Sequence, residues 1–144
     1  MKEKILIIGA CGQIGSELTL KLRDIYGFKN VIASDINYSN VDIANSGNFE
    51  IIDAQDYTSI ETCIEKHNID TVYLLAAMLS ATGEKHPAKA WDLNMNSLFH
   101  VLNLAKAKRI KKVFWPSSIA VFGPTTPKVY TPQYTVTEPT TVYG

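Results

Sequence analysis

Gly9-Ala10-Cys11-Gly12-Gln13-Ile14-Gly15 follows directly on the apolar run Ile5-Leu6-Ile7-Ile8, and this junction decides the fold. An unbroken apolar run suits a parallel strand covered on both faces. Each glycine after it has a physical task in holding a dinucleotide. Gly9 can take the tight strand-to-helix turn, Gly12 lacks the Cβ that would keep the backbone away from a pyrophosphate, and Gly15 lets the helix pack close to the strand. A helix beginning near Gly12 points unpaired N–H groups and its positive dipole end at phosphates, with Gln13 and Ile14 offering backbone donors there. Asp35 arrives about 20 residues on, at the end of a second apolar stretch, which is the context a glycine motif needs before it carries weight.

The rest of the chain alternates strand and helix. Residues 16–26 place Leu18, Leu22 and Ile25 at helical spacing, with Arg23 and Asp24 outside, and Gly27 ends the helix. Residues 31–34 form the second strand, 36–48 a loop rich in Asn and Ser, and 49–52 a short third strand. A helix over 59–67 turns Ile60, Cys63 and Ile64 inward, and 71–77 reads as the fourth strand. A long helix follows over about 87–107, with Trp91, Leu98, Leu102 and Ala105 on its inner face and Phe99 also assigned to the core. Strand five covers 112–115. Such alternation predicts an α/β doubly wound parallel sheet with flanking helices and right-handed crossovers. Residues 119–144, rich in proline and threonine, show no period and read as a long functional loop or an unfinished region. No helix closes the last unit, so the spacing predicts a sheet cut short before its last βα units and any substrate domain.

Composition narrows the function classes. With 144 residues the chain is one domain's worth, and 46% apolar against 19% charged residues fits a globular α/β protein. Lys+Arg and Asp+Glu balance at 14 each, so nothing steers it to nucleic acid or an anionic membrane. No apolar run nears the roughly 18 residues that span a bilayer. Met1-Lys2-Glu3-Lys4 runs straight into a strand and leaves no room for a signal peptide. Cys11 and Cys63 make no disulfide framework, and a reducing cytoplasm is expected. His67, His86 and His100 are scattered, with no metal-ligand spacing, which disfavours a zinc-dependent alcohol dehydrogenase mechanism.

Asp35 can accept hydrogen bonds from both adenosine ribose hydroxyls and would repel a 2′-phosphate. No arginine follows it, only Ile36, Asn37 and Tyr38, so NAD is expected over NADP. The plainer reading of Asp35 is a solvated acid at a strand end.

The G-x-x-G-x-x-G spacing, the Ala76-Ala77 pair, Asn94, Pro116-Ser117-Ser118 and Tyr143-Gly144 together resemble the extended short-chain dehydrogenase/reductases, a Rossmann-type family. Three strings narrow this: Leu79-Ser80-Ala81-Thr82-Gly83-Glu84-Lys85, Ala90-Trp91-Asp92-Leu93-Asn94-Met95-Asn96, and Val121-Phe122-Gly123-Pro124-Thr125-Thr126-Pro127-Lys128 resemble the short-chain NAD-dependent L-threonine 3-dehydrogenases. The resemblance implies oxidation of the 3-hydroxyl of L-threonine to 2-amino-3-oxobutanoate with NAD as cofactor, and a homodimer for the full-length protein. It implies cofactor contacts at Gly9, Gly12, Gln13, Ile14, Gly15, Asp35, Asp53, Ala54, Leu75, Ala76, Ala77 and Asn94. It implies Ser118 and Tyr143 as catalytic and substrate-binding residues, and Ser80 as a further substrate contact. Tyrosine would take the hydroxyl proton, and a phenol with a reference pKa near about 10 needs a neighbouring cation to act as a base at neutral pH. In the family that cation is a lysine one helical turn past the tyrosine, beyond Gly144, so the 144-residue chain alone is expected not to turn over threonine.

Alternatives stay open at several positions. Asp53 reads either as an adenine contact or as an Asx-type turn at a strand end. Asn94 holds a backbone or a water near the cofactor, or is a buried structural amide. Ser80 is a substrate contact or a plain loop serine. At the level of function, a nucleotide-sugar epimerase/dehydratase and a non-catalytic NAD-binding module are the rivals.

Overall fold

Ile5–Ile8 (β1) is almost wholly shielded from solvent, which requires cover on both faces of the strand. In a computed structural model that describes residues 3–144, β1 lies at the centre of five parallel strands. Met1 and Lys2 of the opening stretch lie outside the described residues. Val31–Asp35 (β2) and Thr71–Leu74 (β4) flank β1, pairing Ile8 with Ser34 on one side and with Leu74 on the other. Phe49–Ile51 (β3) and Lys112–Phe114 (β5) form the edges, giving the order β3-β2-β1-β4-β5. Alternation along the strands sorts side chains between two cores. Leu6, Ile8, Ile32 and Val72 pack with Ile60, Cys63 and Ile64 of Tyr57–His67 (α3) and with Leu98, Val101 and Leu104. Ile5, Ile7, Val31 and Ala33 pack on the other face with Leu22 of Gln13–Tyr26 (α1) and Ile43 of Val41–Asn45 (α2).

This is the doubly wound sheet expected. Successive strands step outward from β1 to β3, then return to its other side at β4, so the order reverses between β1 and β4. Open α/β sheets bind ligands at such a point, off the carboxyl ends of the strands. No helix among the described residues is long and apolar enough to cross a membrane.

Several local expectations are corrected. Residues 36–48 contain α2, whose first turn is capped by Asn40: its Oδ1 accepts from the Ile43 N–H at 3.2 Å. Strand β4 stops at Leu74, leaving Leu75, Ala76 and Ala77 as an irregular segment beyond it. Ser80–Lys85 forms a further short helix (α4), and the single long helix is instead three pieces: Pro87–Trp91 (α5), a π-helical stretch Asp92–Asn96, and Ser97–Lys106 (α6). The buried stripe runs through Ala90, Ser97, Leu98, Val101 and Leu104, the expected spacing set one residue earlier, so that Trp91, Phe99 and Leu102 are about half exposed. Residues 119–144 hold a 3₁₀ turn at Ile119–Val121 and are otherwise irregular, as expected.

In α1, Ile25 faces solvent and Arg23 is the buried residue, the reverse of the expectation. Helical spacing alone assigns charge outward, but here the α2–β3 connection supplies acceptors. Arg23 donates to the Ile43 carbonyl at 3.0 Å, the Asn48 carbonyl at 2.6 Å and the Ser46 hydroxyl. Gly47 leaves room for the guanidinium, since a Cβ there would lie 3.0 Å from Arg23 Cζ. Burial pulls the Arg23 pKa below its ordinary value. Arg23→Met should cost about 2–4 kcal/mol by leaving those carbonyls without charged donors. Urea unfolding without cofactor checks this, and an unchanged midpoint would contradict the clamp.

Candidate functional site

The site begins with how tightly the glycine turn is packed. Gly9 has φ +93°, a backbone that L side chains rarely adopt, and a Cβ there would sit 2.5 Å from the Ala76 nitrogen. A Cβ on Gly15 would lie 2.1 Å from the Gly9 carbonyl oxygen. Gly12 differs, because a Cβ there would meet only the Gly9 oxygen, at 3.4 Å, an ordinary contact. Nothing in the protein demands glycine at position 12; the space a side chain would fill faces the adjoining cavities. Beyond it, α1 begins with no side-chain cap and no acid in its first turn. Its free N–H groups are available to an anion.

Two cavities meet at this turn. The first, about 370 Å³, is walled by Gly9, Gly12, Asp35, Asp53, Ala54 and Ala76 among others, with no lysine, arginine or histidine in its lining. The second, about 680 Å³, extends past Gln13, Ile14, Gly15 and Asn94 to Ser118 and Tyr143. Gly9, Gly12, Leu75, Ala76 and Ala77 line both, so the two lobes join across the glycine turn. An elongated, two-ended ligand with an anionic middle fits this shape, and the Gly12 cradle fits a pyrophosphate.

In the first lobe, half-buried Asp35 is held from two sides. Its Oδ2 accepts from the Cys11 N–H at 2.9 Å and its Oδ1 from the Ile36 N–H at 2.8 Å. The carboxylate is thereby pinned to the glycine turn rather than free in solvent. Asp53 forms the Asx turn, its Oδ1 accepting from the Gln55 N–H at 2.9 Å, while also lining the lobe. Cys11 lines it too, a placement sequence reading did not single out. Cys63, by contrast, is buried in α3, and burial, with Glu50 adding to it, pushes its thiol up to about 12.

In the second lobe, the Ser118 Oγ accepts from the Ala120 N–H at 3.1 Å, so its own proton remains available to donate. Tyr143 reaches the same lobe because the irregular segment folds back. Glu138 donates its N–H to the Val121 carbonyl at 3.0 Å, and Gly144 packs so closely that a Cβ there would lie 2.2 Å from the Ala120 oxygen. Asn94, in the π stretch, grips one residue of the post-β4 segment by its backbone. Its Oδ1 accepts from the Met78 N–H at 2.7 Å and its Nδ2 donates to the Met78 carbonyl at 3.1 Å. Ser80, the first residue of α4, lines neither lobe, although its neighbour Leu79 lines the second. Trp115 and Met95 also line the second lobe without having been foreseen. Trp115 carried a signal, its place at a strand's carboxyl end; Met95 depends on the π turn and carried none. Among the described residues no three His, Cys, Asp or Glu side chains cluster as a metal site.

A parallel sheet with this turn, this acid and this two-lobed trough defines a dinucleotide-binding protein of the Rossmann type. The sequence model of the NAD dependent epimerase/dehydratase family matches residues 5–144, and the chain belongs to that family. NAD is the cofactor that goes with it. Among solved structures, the GalE-like L-threonine dehydrogenase from Cupriavidus necator in its holo form is 57% identical, with a TM-score of 0.90 over 98% of this chain and 46% of its own. L-threonine dehydrogenase from Clostridium difficile is 49% identical, with a TM-score of 0.94 over 99% of this chain and 45% of its own. An uncharacterized epimerase/dehydratase of Staphylococcus saprophyticus is 48% identical over 143 residues, 99% of this chain and 44% of that protein. The chain thus spans less than half the length of these relatives.

The contrast between Gly12 and Gly15 gives a test. Gly12→Val should keep the fold and lose NAD binding, because the added methyls fill the cradle alone. Gly15→Val should unfold or loosen the β1–α1 junction itself. NAD titration beside circular dichroism distinguishes them, and near-normal NAD binding by the folded Gly12→Val protein would contradict the cradle.

Proposed function

We propose that the whole protein carrying this chain oxidises the 3-hydroxyl of L-threonine with NAD, giving 2-amino-3-oxobutanoate. The observation that carries the reading is the convergence of Ser118 and Tyr143 on the lobe that also holds the glycine turn. Two relatives at 49% and 57% identity, both L-threonine dehydrogenases, support the substrate.

In this reading Gly9, Gly12 and Gly15 with the N–H groups of Gln13 and Ile14 receive the pyrophosphate, and Asp35 receives the adenosine ribose. Asp53 and Ala54 flank the adenine end, and Leu75, Ala76 and Ala77 bridge the two lobes. Asn94 serves the cofactor indirectly, by holding Met78. When bound, NAD supplies the acceptor for the hydride that leaves the substrate carbon. Tyr143 takes the proton of the substrate hydroxyl as the carbon–oxygen bond becomes a carbonyl. The Ser118 hydroxyl donates to that same oxygen, a role for which its spare proton fits it. Ser80, next to the lobe-lining Leu79, is a candidate for a further substrate contact. The lack of a basic residue around Asp35, with Asp53 nearby, supports NAD over NADP. A homodimer of the whole protein belongs to the same proposal and rests on the family resemblance.

A nucleotide-sugar epimerase/dehydratase would use the same cradle, serine and tyrosine. What favours the dehydrogenase is that the matching structures at these identities bear threonine dehydrogenase names. The whole protein should form NADH with L-threonine. Tyr143→Phe should lower kcat by about 10²–10⁴, and Ser118→Ala by about 10². Full-rate turnover by Tyr143→Phe would remove the assigned base, and faster turnover of a nucleotide sugar than of threonine would favour the rival reaction.

A further inference from the structure

The stretch Leu79–Lys85 resembles the dehydrogenases in sequence, and beyond its serine the Gly83-Glu84 pair has a structural task. Glu84 lies on α4, on the surface, and its Oε1 accepts from the backbone N–H of Val142 at 2.8 Å. Val142 is the residue immediately before Tyr143. Gly83, directly before Glu84, is buried, and a Cβ there would lie 3.3 Å from Ala90 Cβ and 3.9 Å from Val142 Cγ1. The glycine lets α4 settle between α5 and the irregular segment, and the glutamate then bonds across the gap.

We propose that Glu84 is a positioning residue that fixes the Tyr143 backbone, and through it the phenol, relative to Ser118. The proposal rests on the reading of Tyr143 as the proton acceptor. Other segments hold the backbone on either side of Tyr143: Gly144 packs against the Ala120 oxygen, two residues past Ser118, and the Val142 N–H donates to Glu84. A carboxylate accepting from a backbone N–H makes a charge-assisted bond, stronger than a neutral one. The bond has a second end. Helix α4 follows the Met78 backbone that Asn94 holds, so Glu84 joins the wall beside Leu79 to the segment bearing the tyrosine. Two walls of the second lobe are thereby set in register by one side chain. Because that bond is exposed to water, it contributes little to folding, and its effect belongs in the placement of the reacting group.

The test uses the whole protein, with L-threonine and NAD. Glu84→Ala should lower kcat by about 10–100-fold, the scale of a misplaced catalytic group, with the unfolding temperature and the NAD dissociation constant unchanged. Glu84→Gln keeps an oxygen acceptor for the Val142 N–H and should recover most of the loss. A Glu84→Ala protein with wild-type kcat overturns the proposal, as does a Glu84→Gln protein as slow as the alanine variant. A fall in NAD affinity parallel to the fall in kcat also overturns it, since general loosening would then explain both. Tyr143→Phe is measured beside them. If it turns over at full rate, the reading of Tyr143 fails and Glu84 loses its role with it; if it is inactive while Glu84→Ala is normal, only the Glu84 proposal fails.

Discussion

The first turn of α1 lies against the end of β1 with no room for a side chain between them, and the site depends on that contact. Because Gly15 sits under the Gly9 carbonyl oxygen, the helix can start directly above the central strand with its uncapped end over the strand order's reversal point. Gly9 in turn presses on the Ala76 backbone, which fixes the post-β4 segment as the opposite wall. Both lobes share those walls. A larger residue at 9 or 15 would move the helix or the segment, and the trough would lose its shape before any ligand reached it.

The two lobes are built by different means. The first is framed by secondary structure: strand ends deliver Asp35 and Asp53, and the Asp35 carboxylate closes back onto the Cys11 N–H. The second depends on residues 119–144, which carry little regular structure. That segment is ordered by individual bonds and close contacts, Glu138 to Val121, Gly144 to Ala120 and Val142 to Glu84. The proposed cofactor contacts thus rest on the rigid sheet, and the candidate reacting groups rest on a segment whose geometry single side chains can tune.

The sheet and the residues around the first lobe were legible in sequence because their signals are local. Ile5–Ile8, the glycine spacing and Asp35 each mark their own place in the fold, and the two faces of the sheet follow from alternation along each strand. The features that escaped were set by tertiary context. Arg23 is buried because three acceptors from residues 43–48 surround its head, a fact no helical wheel contains. Ala90, Ser97, Val101 and Leu104 carry the buried stripe, one residue before the expected positions, because neighbouring apolar residues let two phases of the same period fit the sequence; Phe99 and Leu102 are left half exposed and Trp91 lines the second lobe. Ser118 and Tyr143 were named through resemblance, since a serine after a proline and a tyrosine in an irregular stretch have no distinctive local pattern. Their meeting in one lobe is a product of the fold-back of residues 119–144.

The central claim is that the β1–α1–β2 unit is built to take NAD, with Asp35 as the residue that reads its ribose. The most direct measurement is a pair of dissociation constants, NAD and NADP, for the unmutated whole protein and for Asp35→Ala. Clear preference for NAD is expected in the first and a narrowed preference with weaker NAD binding in the second, because the carboxylate both accepts from ribose hydroxyls and repels a 2′-phosphate. Equal affinities for NAD and NADP in the unmutated protein would contradict it.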